Sequence, residues 1–78
     1  MDILQKIKEC IAENLEDTSA DSIADNARLK EDLFADSLDI LQIRISIENA
    51  FLIEFSEKEL TCMLTVDAIY QAVKEKVG

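Results

Sequence analysis

Histidine, proline and tryptophan are missing from these 78 residues, and the one glycine is the last residue, Gly78. Without histidine no hydroxyl has its usual activating base, which disfavours nucleophilic catalysis. No motif specifies another acid–base pair, so an enzyme is not expected. Without interior glycine, tight hairpins that need positive φ are disfavoured, and with them an all-β fold. Cysteine occurs twice, as Cys10 and Cys62. These form at most one bridge, and their spacing matches no zinc or redox motif. A reduced, cytoplasmic setting is the expectation. No apolar run approaches a membrane span, and the N-terminal residues turn acidic too soon for a signal peptide. Basic residues are scarce, 8 against 17 acids, for a net charge of −9. That balance argues against nucleic acid, whose backbone needs a basic footprint. It favours basic partner surfaces and salt-sensitive encounters. A calcium loop needs alternating acids and a central glycine, and Asp32 to Asp39 has neither.

The length suits one small domain. Ile3, Leu4, Ile7, Ile11 and Leu15 recur at steps of three and four, which predicts a helix over residues 2–16. Cys10 borders its apolar face. Residues 17–36 are polar and open with Asp17-Thr18-Ser19. Twenty residues or so without an element are uncommon in a compact domain. A helical turn near Ser19–Ile23 would relieve this, with Ile23, Leu29 and Leu33 pinning the segment to the core. Residues 37–52 fit two templates. Gln42 to Glu48 alternates polar and apolar with β-branched isoleucines, as a half-buried strand does. Ile40, Ile43, Ile47, Ala50 and Phe51 also form one helical stripe. The ends favour helix, with Asp36 as N-cap and Asp39 in the first turn. Ser56-Glu57-Lys58-Glu59 is a capping-box pattern ahead of Leu60, Met63 and Leu64, and predicts a short third helix. Thr65 caps a last helix over 66–77, with Val66, Ile69, Ala72 or Val73, and Val77 inward and Lys74 and Lys76 in the last turn. The expected fold is all-α, a four-helix bundle with a long first loop and a short third helix.

The most informative stretch is residues 32–39, Asp-Leu-Phe-Ala-Asp-Ser-Leu-Asp. It holds one hydroxyl, Ser37, at the start of a predicted helix, with no histidine to activate it. A group attached there by another enzyme is the better role. A plain helix-start serine, satisfying backbone N–H groups, is the bland alternative.

Asp36-Ser37-Leu38 resembles the attachment motif of acyl carrier proteins, and the likeness runs nearly end to end. It includes Ile23 to Ala27, Glu31-Asp32-Leu33, Ala35 to Asp39, Ile47-Glu48, Phe51, Glu54, and Thr65-Val66 with Ile69. The resemblance implies that residues 1–78 are a single acyl-carrier domain of the discrete kind, expected to be a monomer. It implies that Ser37 bears 4′-phosphopantetheine, added from coenzyme A by a phosphopantetheinyl transferase that uses magnesium, and that the arm's thiol carries acyl groups in fatty-acid or polyketide-like synthesis. A phosphodiester at a helix N-terminus is electrostatically tolerated. The resemblance also implies an acyl pocket lined by Ile40, Ile43, Ile47, Phe51, Phe55, Leu60, Met63 and Ile69. It implies a docking face of Leu38, Leu41, Ile45 and Glu48, rimmed by Asp36, Asp39 and Glu54, for acyl-loading, synthase and acyl-transfer enzymes with basic surfaces.

The chain departs from the family at several places. Phe34 stands where glycine is usual, Gln42 where an acid is usual, and Arg44 adds a positive charge to the second helix. Ser56 replaces a proline, and Leu60 a smaller residue that leaves a longer cavity. These changes suggest a dedicated partner set. Two other readings stay open: an acidic helical adaptor that binds a basic protein with Ser37 unmodified, and an amino-acid or peptidyl carrier. The second usually has a Gly-Gly-His-Ser type motif, which is absent here.

Overall fold

A computed structural model describes residues 2–16 and 18–77; Met1, Asp17 and Gly78 lie outside the described residues, so the opening of the polar connection at Asp17 does too. Four helices follow in order: α1 (Ile3–Glu13), α2 (Ser37–Phe51), α3 (Glu57–Cys62) and α4 (Val66–Val77). A 3-10 turn, Ala20–Ser22, lies in the first connection, inside the span where a helical turn was expected.

Local chemistry explains each boundary. The Asp2 carboxylate accepts the Gln5 N–H at 3.2 Å and starts α1. The helix ends earlier than its apolar spacing predicts, because Asn14 turns its side chain back. The Asn14 Nδ2 group donates to the Cys10 carbonyl at 2.8 Å and to Ser46 Oγ at 3.0 Å. That amide satisfies an orphan carbonyl of α1 and ties its end to α2.

In the first connection Ile23, Ala27, Leu29 and Ala35 are buried, and Leu33 packs partly against them. The backbone there pairs with the start of α4. Leu29 N–H donates to the Leu64 carbonyl at 3.0 Å, and Val66 N–H donates to the Ala27 carbonyl at 2.9 Å. Asp32 accepts the Arg28 backbone N–H at 2.8 Å and holds the guanidinium at 3.3 Å. This side-chain bond from Arg28, ahead of the backbone one, keeps the Asp32 carboxyl below its usual range.

The ends of α2 decide between helix and strand. Asp36 and Asp39 form a reciprocal capping box, with Asp39 N–H donating to Asp36 Oδ1 at 2.8 Å and Asp36 N–H to Asp39 Oδ2 at 3.2 Å. Leu52 ends the helix at φ 56°, in the left-handed region, with its N–H on the Glu48 carbonyl.

The Ser56–Glu59 box starts α3 as expected, and the Thr65 hydroxyl accepts the Ala68 N–H at 3.0 Å to cap α4. Glu59 also meets Lys76 at 2.9 Å, and Lys76 lies 6.0 Å from the Phe55 ring centre. One lysine thereby links the end of α4 to α3 and its approach.

The core joins Ile7, Cys10 and Ile11 of α1, Ile43 and Ile47 of α2, Met63, and Val66, Ile69 and Val73 of α4. It is apolar throughout, with no polar or charged residue buried among the described residues. Two residues of the expected apolar stripes are instead exposed. Ala50 sits at the outer edge of the α2 stripe, and Val77 is in the final turn, beyond the reach of the core. Cys10 and Cys62 are both unpaired. Burial, the largest influence on Cys10, pushes its thiol above the usual range.

Candidate functional site

The capping box that starts α2 also positions Ser37. Asp36 occupies the N-cap, so Ser37 is the first helical residue, and it is exposed. The first turn of a helix has unpaired N–H groups and partial positive charge. A hydroxyl there is open to an incoming enzyme and can bear an anionic substituent without a buried charge. Exposed apolar side chains precede and follow it in the sequence. Phe34 is 84% exposed and Leu38 is 60% exposed. Phe34 holds φ 57°, a conformation a glycine adopts freely and a phenylalanine does not. The Ala35 N–H donates to the Leu29 carbonyl at 2.9 Å and closes this loop just ahead of the site.

Beside the site, between α2, α3 and α4, lies a cavity of about 200 Å³. Five of the eight residues expected to line an acyl pocket do line this space: Ile40, Ile43, Leu60, Met63 and Ile69. The expectation differs from the structure at the other three. Ile47 is fully buried in the core beneath it. Phe51 and Phe55 lie at the other end of α2, Phe51 packing partly against the core. Leu29, Leu41 and Arg44 complete the lining. Spacing along α2 hides Leu41, which falls on the face read as outward, and Arg44, which it assigns to neither face. Leu29 comes from the first connection, and only its strand-like pairing to Leu64 brings it there.

The outer face of α2 has Leu38, Leu41 at 43% exposure and Ile45 at 42%. These three occur at steps of three and four, a ridge one side chain wide. The acidic rim is thinner than expected. Asp36 and Glu54 are exposed and Asp39 is half-buried, while the Asp36 and Asp39 carboxylates each accept a backbone N–H in the capping box. Glu48 turns away from the ridge. Its Oε2 accepts the Phe55 N–H at 2.9 Å, Oε1 lies 3.6 Å from Arg44 Nε, and its side chain is 18% exposed. A carboxylate near a helix end finds free N–H groups in the following loop, which periodicity alone does not reveal. Among the described residues no helix is long and apolar enough to cross a membrane.

Comparison with known proteins adds a family. Residues 5–73 match the model of the phosphopantetheine attachment site. The chain is 32% identical to an acyl carrier protein of Desulforapulum autotrophicum over 76 residues, covering 97% of this chain and 99% of the relative. It is 34% identical to an acyl carrier protein of Lactobacillus acidophilus over 77 residues, covering 99% and 95%. Among solved structures it is similar to the acyl carrier protein from Enterococcus faecalis, described as having high thermal stability. The TM-score is 0.75 at 29% identity, covering 94% of this chain and 91% of that one.

Proposed function

This chain belongs to the phosphopantetheine attachment-site family, and from that premise we propose that Ser37 is the residue that takes the arm. The function is that of an acyl carrier protein in fatty-acid or related biosynthesis. When bound, 4′-phosphopantetheine supplies a thiol that holds acyl groups as thioesters. The observation that carries the placement is an exposed serine in the first turn of α2, one to two turns before an apolar cavity.

The residues present fit that group. Ser37 offers an accessible hydroxyl among free helix N–H groups, and the acids nearest it have backbone partners of their own. The Asp36 and Asp39 carboxylates are each engaged by a backbone N–H of the cap. The chain has no histidine, so it does not activate the serine itself. A phosphopantetheinyl transferase supplies that chemistry with coenzyme A as donor.

Leu38, Leu41 and Ile45 form the docking ridge, with Asp36 and Glu54 as its charged margin. Partners are acyl-loading, synthase and acyl-transfer enzymes that combine a shallow apolar groove with basic residues around it. Coulombic steering by a net charge of −9 accelerates the encounter, and the ridge supplies the burial that holds it. Phe34 adds an aromatic contact next to Ser37 that glycine would not provide, and it narrows the set of enzymes that fit.

The test is loading. Incubated with coenzyme A and a broad-specificity transferase, the protein gains one phosphopantetheine in intact mass, and Ser37→Ala gains none. An unmodified wild type would favour the adaptor reading.

A further inference from the structure

We infer that Phe34 and the groove it walls form a resting site for the pantoyl part of the phosphopantetheine arm, the segment nearest its phosphate. The inference rests on the carrier reading of Ser37 and adds to it a binding role for Phe34.

The ring comes first. Phe34 holds a left-handed backbone, φ 57°, with its side chain exposed. Closure of the loop from the Ala35 N–H to the Leu29 carbonyl accounts for that turn, and glycine would make it at less cost. It does not account for an aromatic ring, and packing does not offset the strain, because the ring is in solvent. Strained non-glycine positions cluster where ligands are clamped.

The groove comes second. Phe34 is one wall of an open groove of about 700 Å³ bounded by the residues after α1, the first connection and the start of α2. Leu15 and Leu33 add apolar surface to it. Its polar groups are acceptors. Thr18 Oγ1 donates to the Glu16 carbonyl and Ser22 Oγ to the Ser19 carbonyl, so both hydroxyl oxygens keep lone pairs for another donor. Asn14 gives its amide nitrogen to Cys10 and Ser46 and keeps its oxygen. Asp39 adds a carboxylate, and no lysine or arginine lines the space. An anion is therefore disfavoured there. The occupant that fits has N–H donors, apolar carbon and no negative charge.

The pantoyl part and its amide have that composition: two methyl groups on one carbon, a hydroxyl and an amide N–H. The phosphate stays outside the groove, at the N-terminus of α2. Position agrees with chemistry. Phe34 precedes Ser37 by three residues, so their Cα atoms lie within about 11 Å of each other. Asp39 lies about 200° around the helix axis from Ser37. The way from the serine into the groove therefore crosses the open end of α2, past the segment that holds Phe34. Tethering supplies an effective concentration on the order of millimolar, so a millimolar intrinsic affinity fills about half of the sites. An enzyme that docks on Phe34 competes for the same ring, and its binding frees the arm.

The test loads wild type, Phe34→Gly and Phe34→Leu from coenzyme A with isotope-labelled pantoyl methyl groups, and intact mass verifies loading. NMR then compares those methyl groups with free pantetheine. In wild type the Phe34 ring current moves their resonances upfield, with cross-relaxation to the ring. The backbone amides of Leu15, Thr18 and Ser22 shift between the unloaded and loaded forms. In Phe34→Gly the methyl resonances return to their free positions. In Phe34→Leu the upfield shift is lost and part of the amide shifts remains. Methyl resonances at the free positions in wild type overturn the inference, a reading that needs neither variant. Cross-relaxation to Leu60 or Met63 instead of Phe34 also overturns it, since that puts the arm on the other side of α2. So does an upfield shift that persists in Phe34→Gly. Unchanged mass in wild type is a different result, and it overturns the carrier reading together with this one.

Discussion

Glu48 closes the far end of α2 onto the segment that leads to α3, its Oε2 accepting the Phe55 backbone N–H at 2.9 Å. Its own carbonyl accepts the N–H groups of both Leu52 and Ile53. One residue thus satisfies the turn through both backbone and side chain. Glu48→Ala leaves a part-buried N–H unpaired and deprives Arg44 of its counter-charge. The expected loss is about 1.5–3 kcal/mol in urea unfolding, the scale of a hydrogen bond to a charged group. A loss indistinguishable from zero would place Glu48 on the docking rim instead.

Phe34 occupies the left-handed region at φ 57° with its ring in solvent. A non-glycine residue held there costs about 1–2 kcal/mol, partly offset because glycine loses more chain entropy on folding. Phe34→Gly therefore raises stability by up to about 1 kcal/mol, measured by thermal or urea unfolding. A destabilised variant would mean that the ring has packing partners the exposed position does not suggest.

The Glu59 carboxyl sits below its usual range, held first by the Ser56 backbone N–H and then by Lys76. A lowered carboxyl adds stability that is complete above the ordinary glutamate value of 4.5 and disappears as pH falls through the lower folded value. Glu59→Gln keeps an oxygen for the capping box and removes the charge. Wild type is expected to melt higher than this variant at neutral pH, and the gap closes as pH falls below 4.5. A gap that persists in acid would assign the effect to packing.

Seventeen acids against eight bases crowd a small fold. Screening by added salt, or binding of magnesium to the acidic surface, reduces their mutual repulsion. The melting temperature is expected to rise with ionic strength, as scanning calorimetry would record. A flat response would mean that the ion pairs of Arg28, Lys8, Lys76 and Arg44 already compensate the charge.

The starts of α2, α3 and α4 were legible in the sequence because capping is short-range chemistry. Asp36 with Asp39, Ser56 with Glu59, and Thr65 each act within three residues of where they are read. The α2 segment was ambiguous by pattern, since apolar residues lie on more than one side of it, and its caps resolved the ambiguity. What spacing could not reveal is long-range. The Asn14 amide meets Ser46, and residues 27–29 pair with residues 64–66, so neither contact leaves a local trace. The cavity shows the same division. Ile40, Ile43, Leu60, Met63 and Ile69 follow from helical faces, whereas Leu29 enters through the backbone pairing and Arg44 because a long side chain at the edge of a face reaches over it.

Ser37→Ala changes one exposed atom in the first turn of α2. The variant should unfold within about 1 kcal/mol of wild type, the scale of a helix-start change. A larger loss would give Ser37 a structural role and weaken any claim drawn from its failure to load.

The most direct measurement maps the arm. Trypsin cuts after Lys30 and Arg44, and the fragment between them contains a single hydroxyl side chain, Ser37. After incubation with coenzyme A and a transferase, tandem mass spectrometry is expected to find phosphopantetheine on the fragment Glu31 to Arg44, released by cleavage at Ser37. A modified protein whose added mass lies on any other fragment, or a fragment 31–44 that remains bare under every loading condition, would contradict the account.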